Sequence, residues 1–234
     1  MNTAGTLSAS GGGRPGAGMR ADAERNRERI LAAARKLYAR EGLSISMAAV
    51  AREAGVGKAT LFRHFTTHQD LIDAVFADRM DAYVRATEEA LADDDPWLGF
   101  LRYITEVCAM QAEDRGFADV LTLTFSTAEA LEERRTRAYH GFLAIIERAR
   151  STGHLQPDFA SEDLILVLMA NAGVISATGG DAPESWRRLI GHLLRGFATH
   201  GAPVPPMPPA PSSASLYRAM ARTEQRHEGE IAKP

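Results

Sequence analysis

Apolar residues at helical spacing are the feature that most limits how this chain folds. Between residues 30 and 199 they recur every three or four positions, and the alternation of apolar and polar residues typical of strands is absent. The spacing is clear at Ile30, Ala34, Leu37 and Tyr38, and Gly42 follows where a helix can end. The sequence therefore predicts an all-α fold.

Capping residues, glycines and prolines predict where the individual helices begin and end. Ser46 can cap a short helix over residues 47–54, and a longer helix is predicted from Gln69 onward. Glycine and proline residues separate most of the helices that follow. Those helices are predicted over residues 96–113, 116–125, 127–152, 161–178 and 184–199.

The two ends of the chain have compositions that disfavour a packed core. Residues 1–19 are rich in Gly, Ser and Ala, and they are predicted to form a disordered tail. The run PVPPMPPAP at residues 203–211 suits neither a helix nor a central strand. Residues 202–234 are therefore predicted to form a Pro-rich, disordered C-terminal tail.

Charge is distributed unevenly along the chain, although the formal net charge is only −3. Residues 1–65 contain 11 Lys and Arg against 5 Asp and Glu, a net charge of +6. The remaining residues contain 16 Lys and Arg against 25 Asp and Glu, a net charge of −9. A basic segment on an acidic body is typical of a module that approaches a polyanion. The arginines among residues 20–29 either contact that polyanion or pair with the glutamates between them.

A glycine cluster within residues 50–65, VAREAGVGKATLFRHF, has two interpretations. A phosphate-binding loop requires a glycine five positions before Gly57 and a hydroxyl residue after Lys58, between a strand and a helix. Those positions hold Arg52 and Ala59, and no strand is predicted before them. The sequence therefore disfavours a phosphate-binding loop.

A helix-turn-helix accounts for the same residues better. Gly55 is placed for a left-handed turn between two short helices, and Ala51 is small enough for those helices to pack closely. Val56 and Leu61 are expected to fill the corner between them. The outward side of the second helix is mostly polar, as in a helix that enters the major groove of DNA.

The stretch from Ile30 to Leu71, ILAAARKLYAREGLSISMAAVAREAGVGKATLFRHFTTHQDL, resembles the DNA-binding domain of the TetR family of bacterial transcriptional regulators. The resemblance implies a three-helix DNA-binding domain over residues 20–68. It also implies a larger helical body over residues 69–201, which binds an effector and dimerises through its last two helices.

The outward residues of the second helix and the resemblance together give a set of DNA-binding candidates. Three of them differ from the residues usual in the family: Gly57 replaces a serine, Phe62 replaces a phosphate-contacting tyrosine, and His68 replaces a lysine. These differences imply fewer contacts with DNA. The full set comprises Ser46, Gly57, Lys58, Ala59, Thr60, Phe62, Arg63, His64 and His68.

The apolar faces of the body helices can enclose a cavity for an effector. Asn171 interrupts an apolar run, and it either orients a ligand or forms a hydrogen bond across a dimer interface. Small residues in helices 161–178 and 184–199 are consistent with a dimer contact. The ligand-binding candidates are Phe100, Tyr103, Ile104, Val107, Met110, Phe117, Leu121, Phe125, Phe142, Ile146 and Asn171.

No residue pattern predicts catalysis, a cofactor or a metal. Neither a nucleophile-elbow nor a zinc-protease motif occurs, and Cys108, the single cysteine, is expected to be a buried apolar residue. His64 and His68 are four positions apart, but a predicted helix break separates them and no further ligand lies nearby. The sequence predicts a cytoplasmic protein because it contains neither a signal peptide nor an apolar run long enough to span a bilayer.

The expected function is that of a homodimeric repressor, which binds a palindromic operator in double-stranded DNA and responds to a small-molecule effector. Two alternatives remain open. One is a helical-bundle enzyme that retains a similar N-terminal domain, and the other is a DNA-binding protein that responds to no ligand. Sequence-specific DNA binding separates the first alternative from the expected function, and ligand-induced release from DNA separates the second.

Overall fold

The computed structural model describes residues 15–122 and 129–231, and these residues confirm the all-α prediction. Within those ranges the β-type pairing is limited to one antiparallel bridge between Leu155 and Ala198. The helices are α1 (Pro15–Glu41), α2 (Met47–Ala54), α3 (Lys58–His64), α4 (His68–Ala92), α5 (Pro96–Glu113), α6 (Arg115–Thr122), α7 (Glu129–Ser151), α8 (Ser161–Thr178), α9 (Ser185–Phe197) and α10 (Ser213–Ile231).

The short N-terminal helices begin and end at the residues that the sequence indicates. Gly42 follows α1 in a left-handed conformation, with a φ of 80°. The Ser46 hydroxyl caps α2 by accepting a hydrogen bond from the Ala49 amide at 3.3 Å. Thr67 and Asp70 form a capping box at the start of α4, so α3 and α4 are separate helices.

The body is a bundle in which α5 contacts α4, α6, α7, α8 and α9. Its interior is filled by aromatic rings, including a stacked pair formed by Tyr103 and Phe142 with ring centroids 5.2 Å apart. Phe100 meets Phe159 edge to face at 5.2 Å. Pairs in these orientations gain about 0.5–1.5 kcal/mol beyond the burial of their apolar area. Cys108 is fully buried within this core, as predicted, and burial raises the pKa of its thiol to about 12.

The N-terminal helices and the body share one continuous core. Tyr38 of α1 stacks on Phe76 of α4 at 5.9 Å, and Phe76 packs against Phe117 of α6 at 6.3 Å. A Cβ atom at Gly116 would lie 2.8 Å from both Tyr38 and Phe76, so only glycine allows α6 to approach this closely. Asp119 of α6 also accepts a hydrogen bond from the Leu43 amide at 3.0 Å.

Helix α8 has an unusual composition for a surface helix of a bundle. It is the one helix in the described ranges that is long and apolar enough to cross a membrane by length and composition, and 28% of it is buried. It nevertheless packs against α5, α6, α9 and α10, so it belongs to the bundle of the body. Ile165, Leu166 and Met169 are exposed on its outer side.

The N-terminus of α1 lies earlier than the predicted domain boundary at residue 20. Residues 15–19 are helical, although they were expected to belong to the disordered tail. Pro15 occupies the first helical position, where the missing amide hydrogen has no intrahelical partner and the fixed φ suits a helix. The predicted disorder of residues 1–14 falls outside the described residues.

The structure also differs from the prediction of a disordered tail over residues 202–234. Residues 203–208, here called the strap, lie against α5 and α9, and residues 213–231 form α10 against α8. Carbonyl groups of the strap accept hydrogen bonds from the body, namely Pro203 from Trp97 at 2.6 Å and Pro208 from Arg188 at 2.7 Å. Proline has no amide hydrogen, but its carbonyl still accepts, so an extended Pro-rich segment can satisfy donors on helices.

Removing residues 202–234 is expected to lower the melting temperature by about 5–15 °C. The deletion leaves Trp97 Nε1 and two arginine side chains without their acceptors, at about 1–3 kcal/mol for each buried donor. Thermal denaturation followed by circular dichroism measures the change. Removal of residues 213–234 alone keeps the strap and is the matched control. An unchanged melting temperature for the longer deletion would show that the strap adds no stability.

Candidate nucleic-acid interface and ligand cleft

The turn between α2 and α3 has the geometry that the helix-turn-helix interpretation requires. Gly55 is left-handed, with φ 62° and ψ 38°, and its amide donates toward the Ala51 and Arg52 carbonyls. The Val56 amide bonds to the Ala51 carbonyl at 3.0 Å. This turn fixes the direction in which α3 leaves α2.

Arg29 of α1 holds the same turn from the other side. Its Nη2 donates to the Ala54 carbonyl at 2.7 Å and to the Gly55 carbonyl at 2.9 Å. These carbonyls lie at the end of α2, where intrahelical donors are lacking. Arg25 pairs with Asp22, and the Arg27 guanidinium lies 5.6 Å from the centre of the Phe65 ring. These three arginines therefore contact protein groups in the structure.

The inner side of α2 and α3 is buried, and the outer side is open and basic. Val50, Ala51 and Leu61 pack in the corner between the helices. Helix α3 contains no acidic residue. Thr60 is half-buried, while the outer side exposes Gly57, Lys58, Ala59, Phe62 and Arg63, and Ser46 is exposed at the start of α2. The structure thus brings most of the predicted DNA-binding residues onto the exposed surface of α2 and α3.

The two predicted DNA-binding histidines are half-buried, as Thr60 is, and each lies against an aromatic residue of the protein. His64 ends α3, with its ring centroid 6.5 Å from that of Phe65. His68 Nε2 lies 2.9 Å from the Tyr38 hydroxyl, and burial lowers the pKa of His68. His68 therefore contacts the core shared by α1 and α4, and it is less able than a lysine to carry charge toward DNA.

His68 is expected to make stability depend on pH. Its folded-state pKa lies below the ordinary value of about 6.5, so the unfolded state binds the proton more readily. The stability that His68 contributes is therefore retained above the unfolded-state pKa of about 6.5. It falls as the pH decreases below that value. The melting temperature of the wild type should fall more steeply between about pH 7 and pH 5 than that of His68→Gln. Parallel pH profiles for the two proteins would contradict this prediction.

A cleft of about 250 Å³ opens in the body between α4, α6, α7 and α8. Apolar side chains from α6 and α8 form one wall, and polar side chains gather on the other, chiefly from α7. This combination of an apolar wall with a few polar groups is typical of small-molecule sites. The lining residues are Tyr83, Leu121, Glu132, Arg135, Thr136, Tyr139, Ser161, Leu164, Ile165 and Leu168.

Leu121 is the member of the predicted ligand-binding set that lines this cleft. Phe125 lies outside the described residues. The other apolar members, all at most 8% exposed, fill the bundle core: Phe100, Tyr103, Ile104, Val107, Met110, Phe117, Phe142 and Ile146. Residues that appear on the apolar faces of neighbouring helices pack against each other, so the space for a ligand lies elsewhere.

Asn171 joins two helices of the body. Its Nδ2 donates to the Cys108 carbonyl at 3.0 Å and to Gln111 Oε1 at 2.9 Å, and the side chain is fully buried. These bonds connect α8 to α5 in the interior of the body. Asn171 is therefore turned away from the exposed side of α8 that carries Leu166 and Met169.

Sequence reasoning missed most of the cleft because its polar wall looks like a solvated helix face. Glu132 and Arg135 belong to a segment dense in glutamates and arginines, and such segments usually face water. A second cleft, of about 150 Å³, lies under the strap and is lined by Trp186, Ile190, Leu194 and Val204 among others. It depends on the folded strap, which composition alone does not predict.

The structure has an exposed basic helix on a helix-turn-helix, and a shared core joins it to a larger helical body. These features together are typical of a DNA-binding transcriptional regulator. Residues 30–75 match the family model for bacterial regulatory proteins of the tetR family. Residues 95–199 match the model for the C-terminal domain of SbtR-like transcriptional regulators. The chain belongs to the TetR family of bacterial transcriptional regulators, as the resemblance of residues 30–71 implied.

Individual relatives agree with this assignment. HTH-type transcriptional regulators from Staphylococcus aureus are 43% identical over 67 residues, which is 28% of this chain and 36% of the relative. The chain thus spans about a third of the length of these curated relatives.

Two solved structures share the fold at low sequence identity. A gamma-butyrolactone receptor, described as an ArpA-like protein, has a TM-score of 0.58 at 17% identity, over 88% of this chain and 99% of that one. NalD is the secondary repressor of the MexAB-OprM multidrug efflux pump in Pseudomonas aeruginosa. Its structure has a TM-score of 0.54 at 19% identity, over 77% of this chain and 98% of that one. At these identities the likeness concerns the fold.

Proposed function

We propose that the protein is a ligand-responsive repressor that binds a palindromic operator in double-stranded DNA as a homodimer. The observation that carries this proposal is the shared core formed by Tyr38, Phe76 and Phe117. Because this core joins the DNA-binding helices to the body, a change in the body can alter the position of α3. The fold is also that of NalD, which is described as a repressor.

In the proposed complex, α3 of each subunit enters the major groove. Lys58, Ala59 and Thr60 lie at the N-terminal end of α3, the end that approaches base edges and the adjacent phosphates in helix-turn-helix proteins. Arg63 and Ser46 are candidates for phosphate contacts, and Phe62 offers an apolar contact without a hydroxyl group. The two recognition helices would lie about 34 Å apart, one turn of DNA.

The proposed dimer contact includes the exposed side of α8. Ile165, Leu166 and Met169 are exposed there at 53%, 62% and 57%, an arrangement that is costly in water unless another surface covers it. Gly173 and Ala177 are also exposed and small enough to let a second helix approach closely. A two-fold contact through this side presents two copies of α3 to one palindrome.

Helices α4 and α6 are the proposed links between the cleft and DNA. Tyr83 of α4 and Leu121 of α6 line the cleft. Helix α4 begins next to α3, and α6 contacts α1 and, through Asp119, the Leu43 amide just after α1. An effector that fits the cleft best when these helices are displaced would favour a different distance between the two DNA-binding domains of the dimer. That distance would not match the operator. The effector and DNA would then weaken each other's binding by the same free energy.

Selection of bound fragments from a random DNA pool tests this function. The proposal predicts one palindromic sequence, salt-sensitive affinity, and a different selected sequence for Thr60→Ala or Lys58→Ala. Unchanged selection by both variants would remove these residues from base recognition, and failure to enrich any sequence would contradict the proposal. We infer a cytoplasmic location and no membrane partner, in keeping with a regulator of transcription.

A further inference from the structure

We propose that the cleft between α4, α6, α7 and α8 binds an amphipathic carboxylate, with the carboxylate on Arg135 and the apolar part against α8. The proposal rests on the proposed function in that this ligand would be the effector. It names a chemical class for the site and the residue that selects it. Three observations support it: an unused donor on Arg135, a second donor on Tyr83, and the apolar opposite wall.

Arg135 is only partly occupied by its protein partners. Its Nη2 donates to the Val120 carbonyl at 2.7 Å, whereas Nη1 lies 3.4 Å from Glu132, near the limit of a hydrogen bond. Its Nε is buried and has no acceptor among the described residues. A buried donor without an acceptor is costly, and a ligand oxygen that accepts from it removes that cost.

Tyr83 provides a second donor in the same cleft. Its hydroxyl oxygen accepts a hydrogen bond from Tyr103 at 3.2 Å, which leaves its own hydrogen available to donate. Tyr83 and Arg135 both line the cleft, and burial raises the pKa of the Tyr83 hydroxyl. Tyr83 therefore remains a protonated donor at neutral pH.

The charge of Arg135 favours a carboxylate over a neutral oxygen acceptor. A carboxylate brings a full opposite charge and two acceptor oxygens, so it can pair with an arginine through two parallel N–H···O bonds, which a neutral hydroxyl cannot do. The Glu132 side chain is 53% exposed, so solvent screens its opposing charge. The Arg135 side chain is 27% exposed, which leaves its charge less screened than that of a surface arginine.

The opposite wall of the cleft suits the apolar part of such a ligand. Leu164 and Leu168 of α8 and Leu121 of α6 line it, and none carries a polar side-chain atom. A volume of about 250 Å³ admits a short hydrocarbon chain or a single aromatic ring. The ligand would lie beside Val120 and its bond to Arg135, so its binding acts on α6 directly.

Calorimetric titration of the full-length protein without DNA tests the proposal. The probes are butyrate, octanoate and phenylacetate, each compared with its matched alcohol: butanol, octanol and 2-phenylethanol. At least one carboxylate is expected to bind about tenfold more tightly than its alcohol. Arg135→Gln is expected to lose this preference while it retains affinity for the alcohol.

Two further variants keep the test independent of the stability of Arg135→Gln. Thr136→Trp fills the cleft without removing the bond between Arg135 and Val120, and it should abolish binding of both members of each pair. Arg137 lies on the same helix but outside the cleft lining, so the Arg137→Gln variant should bind the carboxylates and alcohols like the wild type. Absence of carboxylate binding, or carboxylate binding unaffected by Thr136→Trp, would overturn the proposal.

This inference and the proposed function can fail separately. Binding of octanoate without release of operator DNA would support the carboxylate site and contradict the effector role. Release of DNA by a neutral compound, with no carboxylate bound, would support the regulator and overturn the inference. Both binding measurements use the same protein preparation, and circular dichroism verifies that each variant is folded.

Discussion

Replacing Phe117 by alanine is expected to lower the free energy of unfolding by about 3–5 kcal/mol. The Phe117 side chain, which belongs to α6, is 0% exposed and packs against Phe76, which in turn stacks on Tyr38. The substitution removes an aromatic ring from the place where the DNA-binding helices meet the body. Urea denaturation followed by tryptophan fluorescence and by circular dichroism measures the loss.

The Phe117 variant also tests whether the DNA-binding helices and the body unfold together. With a continuous core, the wild type should unfold in one transition, while Phe117→Ala should separate the transitions seen by the two probes. Phe62→Ala is the matched control, because Phe62 is 48% exposed on α3 and its loss should change stability by about 0.5 kcal/mol or less. Similar losses for both variants would contradict the assigned core.

The substitution Lys58→Glu, which reverses the charge of this residue, is expected to weaken operator binding on the order of a hundredfold. Lys58 is exposed at the start of α3, and each subunit of the proposed dimer would lose one attractive contact and gain a repulsive one. The slope of log affinity against log salt concentration should become less steep by about two, since about one neutralised phosphate is lost per subunit. Fluorescence anisotropy with labelled operator at several salt concentrations measures both effects.

Arg85→Glu is the matched control for this experiment. Arg85 is also exposed, but it lies on α4 in the body, so its reversal changes the net charge equally without touching α3. Its affinity and salt slope should remain near those of the wild type. Equal effects of the two substitutions would mean that overall charge, and not a contact by Lys58, governs binding.

Local signals in the sequence predict the helix-turn-helix closely. Gly55 indicates a left-handed turn, Ser46 indicates a cap, and both have those roles in the structure. The predicted helix over residues 161–178 matches α8, and the one over residues 96–113 matches α5. These features depend on residues close together in the chain, where backbone conformation and capping decide the outcome.

Local signals fail where distant segments meet. Apolar residues such as Tyr103 and Phe142 were expected to border a cavity, yet they stack on each other across α5 and α7. Glu132 and Arg135 line the cleft, although nothing in their local sequence distinguishes them from a solvated helix face. Which apolar faces meet, and which leave space between them, depends on how the helices are arranged in three dimensions.

The sequence by itself determined the helical class, the family, the turn at Gly55 and the basic outer side of α3, because each depends on local spacing or a contiguous motif. Only the tertiary structure decided three further features: the packing of the strap on α9, the continuity of the core through Phe117, and the position of Arg135 beside Val120. Each of these contacts joins residues from different helices or segments, so its existence follows from packing of the whole chain.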